Sequence, residues 1–107
     1  MPELMQNRRN TPRASLIAVI EVTEVQSGTH LTARTSDISR TGCYVDTLNP
    51  TPSGTDVRVK ITHAGQVLEA PARVVYTSPR LGMGLRFDEN LAPGQRAILE
   101  QWLGPEA

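Results

Sequence analysis

The fold is decided by residues 57–76, which read VRVKITHAGQVLEAPARVVY. In the first six residues apolar and polar side chains alternate, so that Val57, Val59 and Ile61 share one face. The same period of two resumes after the turn at Ala64–Gly65, where one face consists of Leu68, Ala70, Ala72, Val74 and Tyr76. Because successive side chains of a strand point to opposite faces, this pattern predicts a β-hairpin that buries one side.

Further strands are predicted on both sides of this hairpin, since the alternation continues along most of the chain. They cover residues 15–25, 29–35, 43–47 and 81–87. Six short strands joined by short turns favour an all-β antiparallel barrel, because closure removes exposed strand edges. Pro71 is an objection to this prediction, since proline cannot donate to a ladder and favours an edge or a bulge.

The apolar period changes after the last strand. Ile98 and Trp102, like Leu99 and Leu103, lie four residues apart and share one face of a helix. The sequence therefore predicts a C-terminal helix over about 93–103 that lies across the barrel, with Trp102 as its anchor.

The domain boundaries follow from these periods. Residues 1–7 show no periodicity and are predicted to form a flexible N-terminal arm. Residues 8–107 are predicted to form one domain, with the barrel over about 14–88.

The composition excludes several classes of protein. Among 107 residues eleven are basic and eleven acidic, which excludes a protein that coats nucleic acid, because non-specific phosphate binding needs surplus cations. The longest apolar run is far shorter than a membrane span and no secretory signal precedes it, so we expect a cytoplasmic protein without membrane insertion. Cys43 is the only cysteine and is expected to pack as a small apolar side chain. With His30 and His63 isolated from other ligands, no metal site is predicted.

An arginine cluster precedes the first strand. Ten of the eleven basic residues are Arg, and Arg8, Arg9 and Arg13 fall within six positions. Such a cluster is either a solvated tail or an anion site. Guanidinium groups bind phosphate oxygens in pairs and also address the O6/N7 edge of guanine, so the second interpretation calls for a compact anion.

A second constellation, Ser36 to Gly42, is predicted to form the turn between the second and third strands. Asp37, Ser39 and Gly42 are ordinary turn residues, because short polar side chains bond to local backbone. They also suit guanine, since a carboxylate accepts from its N1–H and amine, a hydroxyl adds a hydrogen bond and glycine permits close approach.

Together the motifs Arg9-x-x-x-Arg13 and Asp37-x-Ser39-x-x-Gly42 resemble those of the PilZ domain family. The resemblance extends over nearly the whole chain, through residues 72–76, residues 82–87 and the terminal helix. It implies a six-stranded antiparallel β-barrel with a C-terminal helix. It further implies a non-catalytic receptor for the bacterial second messenger cyclic di-GMP, with no cofactor.

By this resemblance Arg9 and Arg13 clamp phosphates and guanine edges, while Asp37 and Ser39 read a guanine and Gly42 keeps the loop tight. Arg8 matches relatives that take up an intercalated dimer of the ligand. Ordering of the N-terminal arm on binding is the expected switch. No fused output domain is evident, so we expect the signal to pass to a separate, unidentified protein.

Four further residues have expected roles. Arg40, inside the second motif, is a candidate for an additional phosphate contact, and Tyr76 either packs in the core or rim or stacks on a guanine. Arg73 and Arg86 project from the polar faces of their strands and are expected to be solvated.

Three other functions fit the sequence less well. A PilZ-like adaptor that binds only protein is the alternative, but such members usually lack one or both motifs. A single-stranded nucleic-acid barrel needs aromatic platforms and a basic groove, whereas this chain has four aromatic residues and no net charge. An enzyme is disfavoured because no nucleophile motif frames Ser39 and no histidine lies near it in sequence.

Overall fold

The computed structural model describes residues 13–104 of the chain. This part contains seven β-strands followed by one α-helix. In chain order they are β1 (Arg13–Ser15), β2 (Val19–Glu24), β3 (His30–Ser39), β4 (Gly42–Asp46), β5 (Asp56–His63), β6 (Gln66–Ser78), β7 (Gly82–Phe87) and α1 (Pro93–Leu103).

Six of the strands form a closed antiparallel barrel in the order β3-β2-β5-β6-β7-β4, and β4 pairs back with β3 to close it. The predicted six-stranded barrel with a C-terminal helix is therefore confirmed. The predicted first strand over 15–25 is wrong in one respect, because residues 16–18 interrupt it. The short piece before this interruption is β1, which pairs with β3 beside the ring.

The barrel interior holds the alternating apolar residues that the sequence pattern indicated. Cys43 is buried among them, as predicted. The largest fully buried apolar side chains are Ile20, Val22, Ile38, Val45, Val57, Ile61, Leu68, Val74, Met83 and Leu99.

Pro71 lies where the β6–β7 ladder ends. Its carbonyl accepts a hydrogen bond from the amide of Asp88 at 2.9 Å, just beyond the last β6–β7 pair, Ala72 with Phe87. Since the N and O atoms of one strand residue point the same way, the missing N–H also faces this end of the ladder. The proline thus costs the sheet no interior hydrogen bond.

The helix α1 packs chiefly against β6. Leu99 is its one buried residue. Trp102, the predicted anchor, is partly buried against the core and meets the ring of His63 edge-on, with 5.4 Å between the ring centres. Within residues 13–104 no helix has the length and apolar character needed to cross a membrane.

Candidate functional site

The pairing of β1 with β3 brings the two sequence motifs together. Arg13 lies opposite Ser39, and Ser15 lies opposite Asp37. The backbone at the end of the first motif is therefore the direct neighbour of the second. Arg8 and Arg9 lie outside the described residues, as does the predicted arm over residues 1–7.

A buried threonine holds this arrangement. The hydroxyl of Thr35 donates to the carbonyl of Leu16 at 2.7 Å and accepts from the amide of Ala18 at 3.1 Å. The amide of Thr35 also donates to the carbonyl of Ala18. These bonds fasten the link between β1 and β2 to β3, and they satisfy backbone groups that the missing ladder would otherwise leave unpaired. Sequence reasoning missed this role, because Thr35 looks like any other strand residue.

The prediction that the whole second motif forms a turn is wrong. Asp37 and Ser39 belong to β3, and only Arg40 and Thr41 connect it to β4. A β-bulge causes the difference, because the β3–β4 register shifts between Thr35 and Asp37. The extra residue reverses which side chains face inward, so Ile38 is fully buried while Asp37 before it is partly exposed on the outer surface.

Ser39 is engaged within the turn itself. Its hydroxyl accepts from the amide of Thr41 at 3.2 Å and donates to the carbonyl of Gly42 at 3.4 Å. The side chain is buried even though it lies in the strand beside Arg13. The ordinary turn role considered for this serine is thus present in the structure.

Gly42 is needed for packing rather than for an unusual backbone conformation. A Cβ atom here would overlap the carbonyl oxygen of Leu85 on β7 and would also crowd the Cα of Arg86. The close approach expected of this glycine is therefore an approach to the neighbouring strand, which holds the motif turn tightly against the barrel.

An aromatic pair lies next to Asp37 on the outer surface. Asp37 is opposite Tyr44, Tyr44 is opposite Gly84, and Gly84 is opposite Tyr76, so the four form one row across β3, β4, β7 and β6. We call these four residues the motif row. The two tyrosine rings lie 6.1 Å apart with a 31° tilt. Tyr44 was missed by sequence reasoning, because no motif includes it.

Bare backbone on β7 makes room for both rings. A Cβ at Gly84 would overlap the ring of Tyr76, and a Cβ at Gly82 would come within 2.8 Å of the ring of Tyr44. Tyr76 was predicted to share the inward face of β6, but it is 47% exposed. A second bulge, between Val74 and Tyr76, turns it outward. This position leaves both rim packing and base stacking open.

Arginine side chains near the motif differ in their partners. Arg40 forms an ion pair with Glu100 of α1 at 3.0 Å, so it is not simply solvated. Arg73 is exposed and pairs with Asp56 at 2.9 Å. Arg86 is exposed, as predicted, and no ion pair to it occurs within residues 13–104.

The one thiol close to the motif is buried and unreactive. Burial raises the pKa of the Cys43 thiol to about 12, and the negative charge of Asp37 adds to this effect. The thiol therefore stays protonated at neutral pH and is a poor nucleophile. Among the described residues no cluster of three His, Cys, Asp or Glu side chains could hold a metal ion.

Comparison with known proteins gives a family match. The model of the family described as "PilZ domain" matches residues 7–104. No match was found among curated protein sequences. PilZ domains are non-catalytic receptors that bind cyclic di-GMP as a ligand and use no cofactor.

Three solved structures share the fold. The PilZ domain of CeSA from a cellulose-synthesizing bacterium is 22% identical, with a TM-score of 0.65 over 81% of this chain and 89% of that one. The PilZ domain of YcgR from Escherichia coli, solved with c-di-GMP, is 18% identical, with a TM-score of 0.68 over 86% of each chain. The Bacillus subtilis inhibitor of motility, MotI/DgrA, is 20% identical, with a TM-score of 0.70. That match covers 89% of this chain but only 49% of the longer Bacillus protein.

Proposed function

Because the chain belongs to the PilZ domain family, we propose that it is a receptor that binds cyclic di-GMP between its RxxxR and DxSxxG motifs. One observation carries the proposal. The β1–β3 pairing sets Arg13 beside Ser39 and Ser15 beside Asp37, so both motifs adjoin the same strand. The YcgR domain with the same fold was solved with c-di-GMP, which supports the choice of ligand.

The residue types suit a dianion with two guanine bases. In this proposal Arg9 and Arg13 bind phosphate oxygens and guanine edges through paired hydrogen bonds. The carboxylate of Asp37 accepts from the N1–H and amine of a guanine, and Ser39 supplies a further polar contact. Arg8 provides an additional guanidinium, which suits a ligand taken up as an intercalated dimer.

The remaining motif residues shape the surface on which the ligand lies. Gly42 keeps the turn against β7, since a side chain there would overlap Leu85. Tyr76 and Tyr44 offer ring faces beside Asp37, and aromatic rings stack readily on purines. We propose that one guanine rests on this pair while its polar edge meets Asp37.

Signal output in this proposal starts at the N-terminal arm. Binding orders residues 1–7 against the barrel, and the new surface is then recognised by a separate protein. We propose a location in the bacterial cytoplasm, because the proposed ligand is a bacterial messenger.

Calorimetric titration of the full chain with cyclic di-GMP tests the proposal. We expect saturable binding to the wild type and a loss of at least about tenfold in affinity for Asp37→Asn, whose amide no longer accepts at both positions. Arg13→Ala should also lose most binding, because it removes a guanidinium of the RxxxR motif that the proposal assigns to the ligand.

Matched controls separate site effects from general charge effects. Asp56→Asn and Arg58→Ala change the same residue types at exposed positions away from the motif row and the motif turn, and both variants should bind like the wild type. A folded wild type that releases no binding heat would refute the proposal, as would equal losses in the motif and control variants.

A further inference from the structure

A long-range ion pair connects the motif turn to the C-terminal helix. Both Nε and Nη2 of Arg40 donate to the same oxygen of Glu100, at 3.2 and 3.0 Å. Arg40 directly follows Ser39, whereas Glu100 lies in the second half of α1. Two segments 60 residues apart in the sequence are therefore joined through one pair of side chains.

This pair is easily exchanged. The two side chains are 45% and 40% exposed, and ion pairs so open to water contribute little because solvent screens them. Both donors of Arg40 bind the same carboxylate oxygen, so the pair lacks the stronger bidentate geometry in which two N–H groups bind two different oxygens. A phosphate group offers that arrangement and is therefore a strong competitor for the guanidinium.

The helix loses a stabilising contact when Arg40 leaves. The carboxylate of Glu100 lies three residues before the last residue of α1, where the partial negative charge of the helix end disfavours an anion. The last turn contains no basic residue of its own. Arg40 thus supplies, from another part of the chain, the positive charge that this helix end lacks.

Space is available for such a movement. A cavity of about 270 Å³ adjoins Arg40 and Thr41 and is also lined by Arg86 and Arg96. The Arg40 side chain can therefore change direction without displacing packed core atoms.

We propose that the Arg40–Glu100 ion pair couples the ligand site to α1. A phosphate of the bound dianion draws Arg40 away from Glu100, and the last turn of the helix loosens as a result. The inference rests on the proposed function, since cyclic di-GMP supplies the phosphate, and it assigns a second route of output besides the N-terminal arm.

The first experiment needs no ligand. Hydrogen exchange of the amides of Gln101–Leu103 should be about two- to fivefold faster in Arg40→Gln than in the wild type, because Glu100 is then unpaired. Glu100→Gln removes the negative charge that disfavours the helix end. Exchange should therefore stay close to the wild-type rate in Glu100→Gln alone and return to it in the double variant with Arg40→Gln. Asp56→Asn, in the similarly exposed Asp56–Arg73 pair, is the control and should leave α1 unchanged. Equal exchange in Arg40→Gln and the wild type would overturn the role of the pair in the helix.

The second experiment uses cyclic di-GMP and the only tryptophan of the chain. Trp102 lies two residues after Glu100, so its fluorescence reports on this turn. We expect the emission of Trp102 to change when the wild type is saturated with cyclic di-GMP. The emission of Arg40→Gln should not change, even when this variant is saturated at higher ligand concentrations. Glu100→Gln should bind about two- to fivefold more tightly, because Arg40 no longer has a competing partner.

The results distinguish the two proposals. Normal binding with unchanged Trp102 emission, or a Glu100→Gln variant that binds no more tightly, would overturn the coupling alone. No binding heat in the wild type would overturn the proposed function and the coupling with it.

Discussion

Two rows of residues on the outside of the barrel rest on the same core but carry opposite kinds of side chain. The motif row runs across β3, β4, β7 and β6 and combines one acid, two aromatic rings and a glycine. A second row, which we call the charge row, runs across β3, β2, β5 and β6. It consists of Thr32, Glu21, Lys60 and Glu69.

The two rows differ in the cross-strand contacts that their side chains make. In the charge row opposite charges face each other across neighbouring strands, which is a common solvated arrangement of modest stabilising effect. In the motif row Gly84 removes a side chain, and the rings of Tyr44 and Tyr76 lie where β-branched residues would otherwise stand. The motif row therefore presents ring faces where the charge row presents ions, and such faces suit the flat bases of the proposed ligand.

The strongest test of this contrast is Gly42→Ala, beside the motif row. The added Cβ meets the Leu85 backbone, which cannot move without separating β4 from β7, so we expect a loss of about 3 kcal/mol in the free energy of unfolding. Urea unfolding measures it. Gly94→Ala is the control, because no heavy atom lies within 4 Å of its Cβ and alanine favours a helix. A Gly42→Ala variant as stable as the wild type would contradict the packing role.

The next largest effect is expected for Thr35→Val. Valine has nearly the same shape but cannot bond to Leu16 or Ala18, so we expect a loss of about 2 kcal/mol from buried unpaired backbone groups. Thermal unfolding measures the loss, and faster hydrogen exchange of the Ala18 amide locates it. Thr35→Ser retains the hydroxyl and should lose less. If Thr35→Val keeps the Ala18 amide fully protected, the threonine does not hold this link.

Gly84→Ala should act on the ligand more than on the fold. Its Cβ meets the Tyr76 ring, an exposed side chain that can turn aside, so we expect a stability loss of about 1 kcal/mol. Displacement of the ring should weaken cyclic di-GMP binding about tenfold, since a base stacked on an aromatic ring contributes about 1–3 kcal/mol. Calorimetry on Gly84→Ala and Tyr76→Ala provides the comparison. Unchanged affinity in both variants would remove the aromatic pair from the proposed site.

The smallest effect is expected in the charge row. Lys60→Ala removes a lysine that faces Glu21 and Glu69, and the free energy of unfolding should change by no more than about 0.5 kcal/mol. Cyclic di-GMP affinity should also be unchanged. A marked loss of binding here would show that the ligand site extends to the opposite side of the barrel.

Regular features of the molecule were predictable from the sequence, and irregular ones were not. Period-two alternation indicated the strands of the barrel, and the change of period after residue 87 indicated the helix. The bulges before Asp37 and Tyr76 were missed, because one extra residue leaves local composition unchanged while reversing the faces. Those bulges explain the wrong placement of Tyr76 and of the second motif.

Long-range contacts were the other gap. Nothing in local sequence connects Arg40 with Glu100 or Thr35 with Leu16, since these contacts exist only after the barrel closes. The partnership of the two motifs was accessible through family resemblance, but its structural basis, the β1–β3 pairing, was not.

Ser36 is the extra residue of the β3 bulge, and it changes which side chains of this strand face inward. Within β3 the odd-numbered side chains up to Thr35 face the barrel interior, whereas after Ser36 the even-numbered Ile38 does. The extra residue thereby keeps Asp37 on the outer surface while Ile38 fills the next inward position. Selection can retain the inward pattern unchanged on both sides of Ser36 while the outward positions after it evolve toward a new ligand. If the ladder continued without the bulge, Ser36 would lie opposite Tyr44, and Asp37 would point into the hydrophobic interior in place of Ile38.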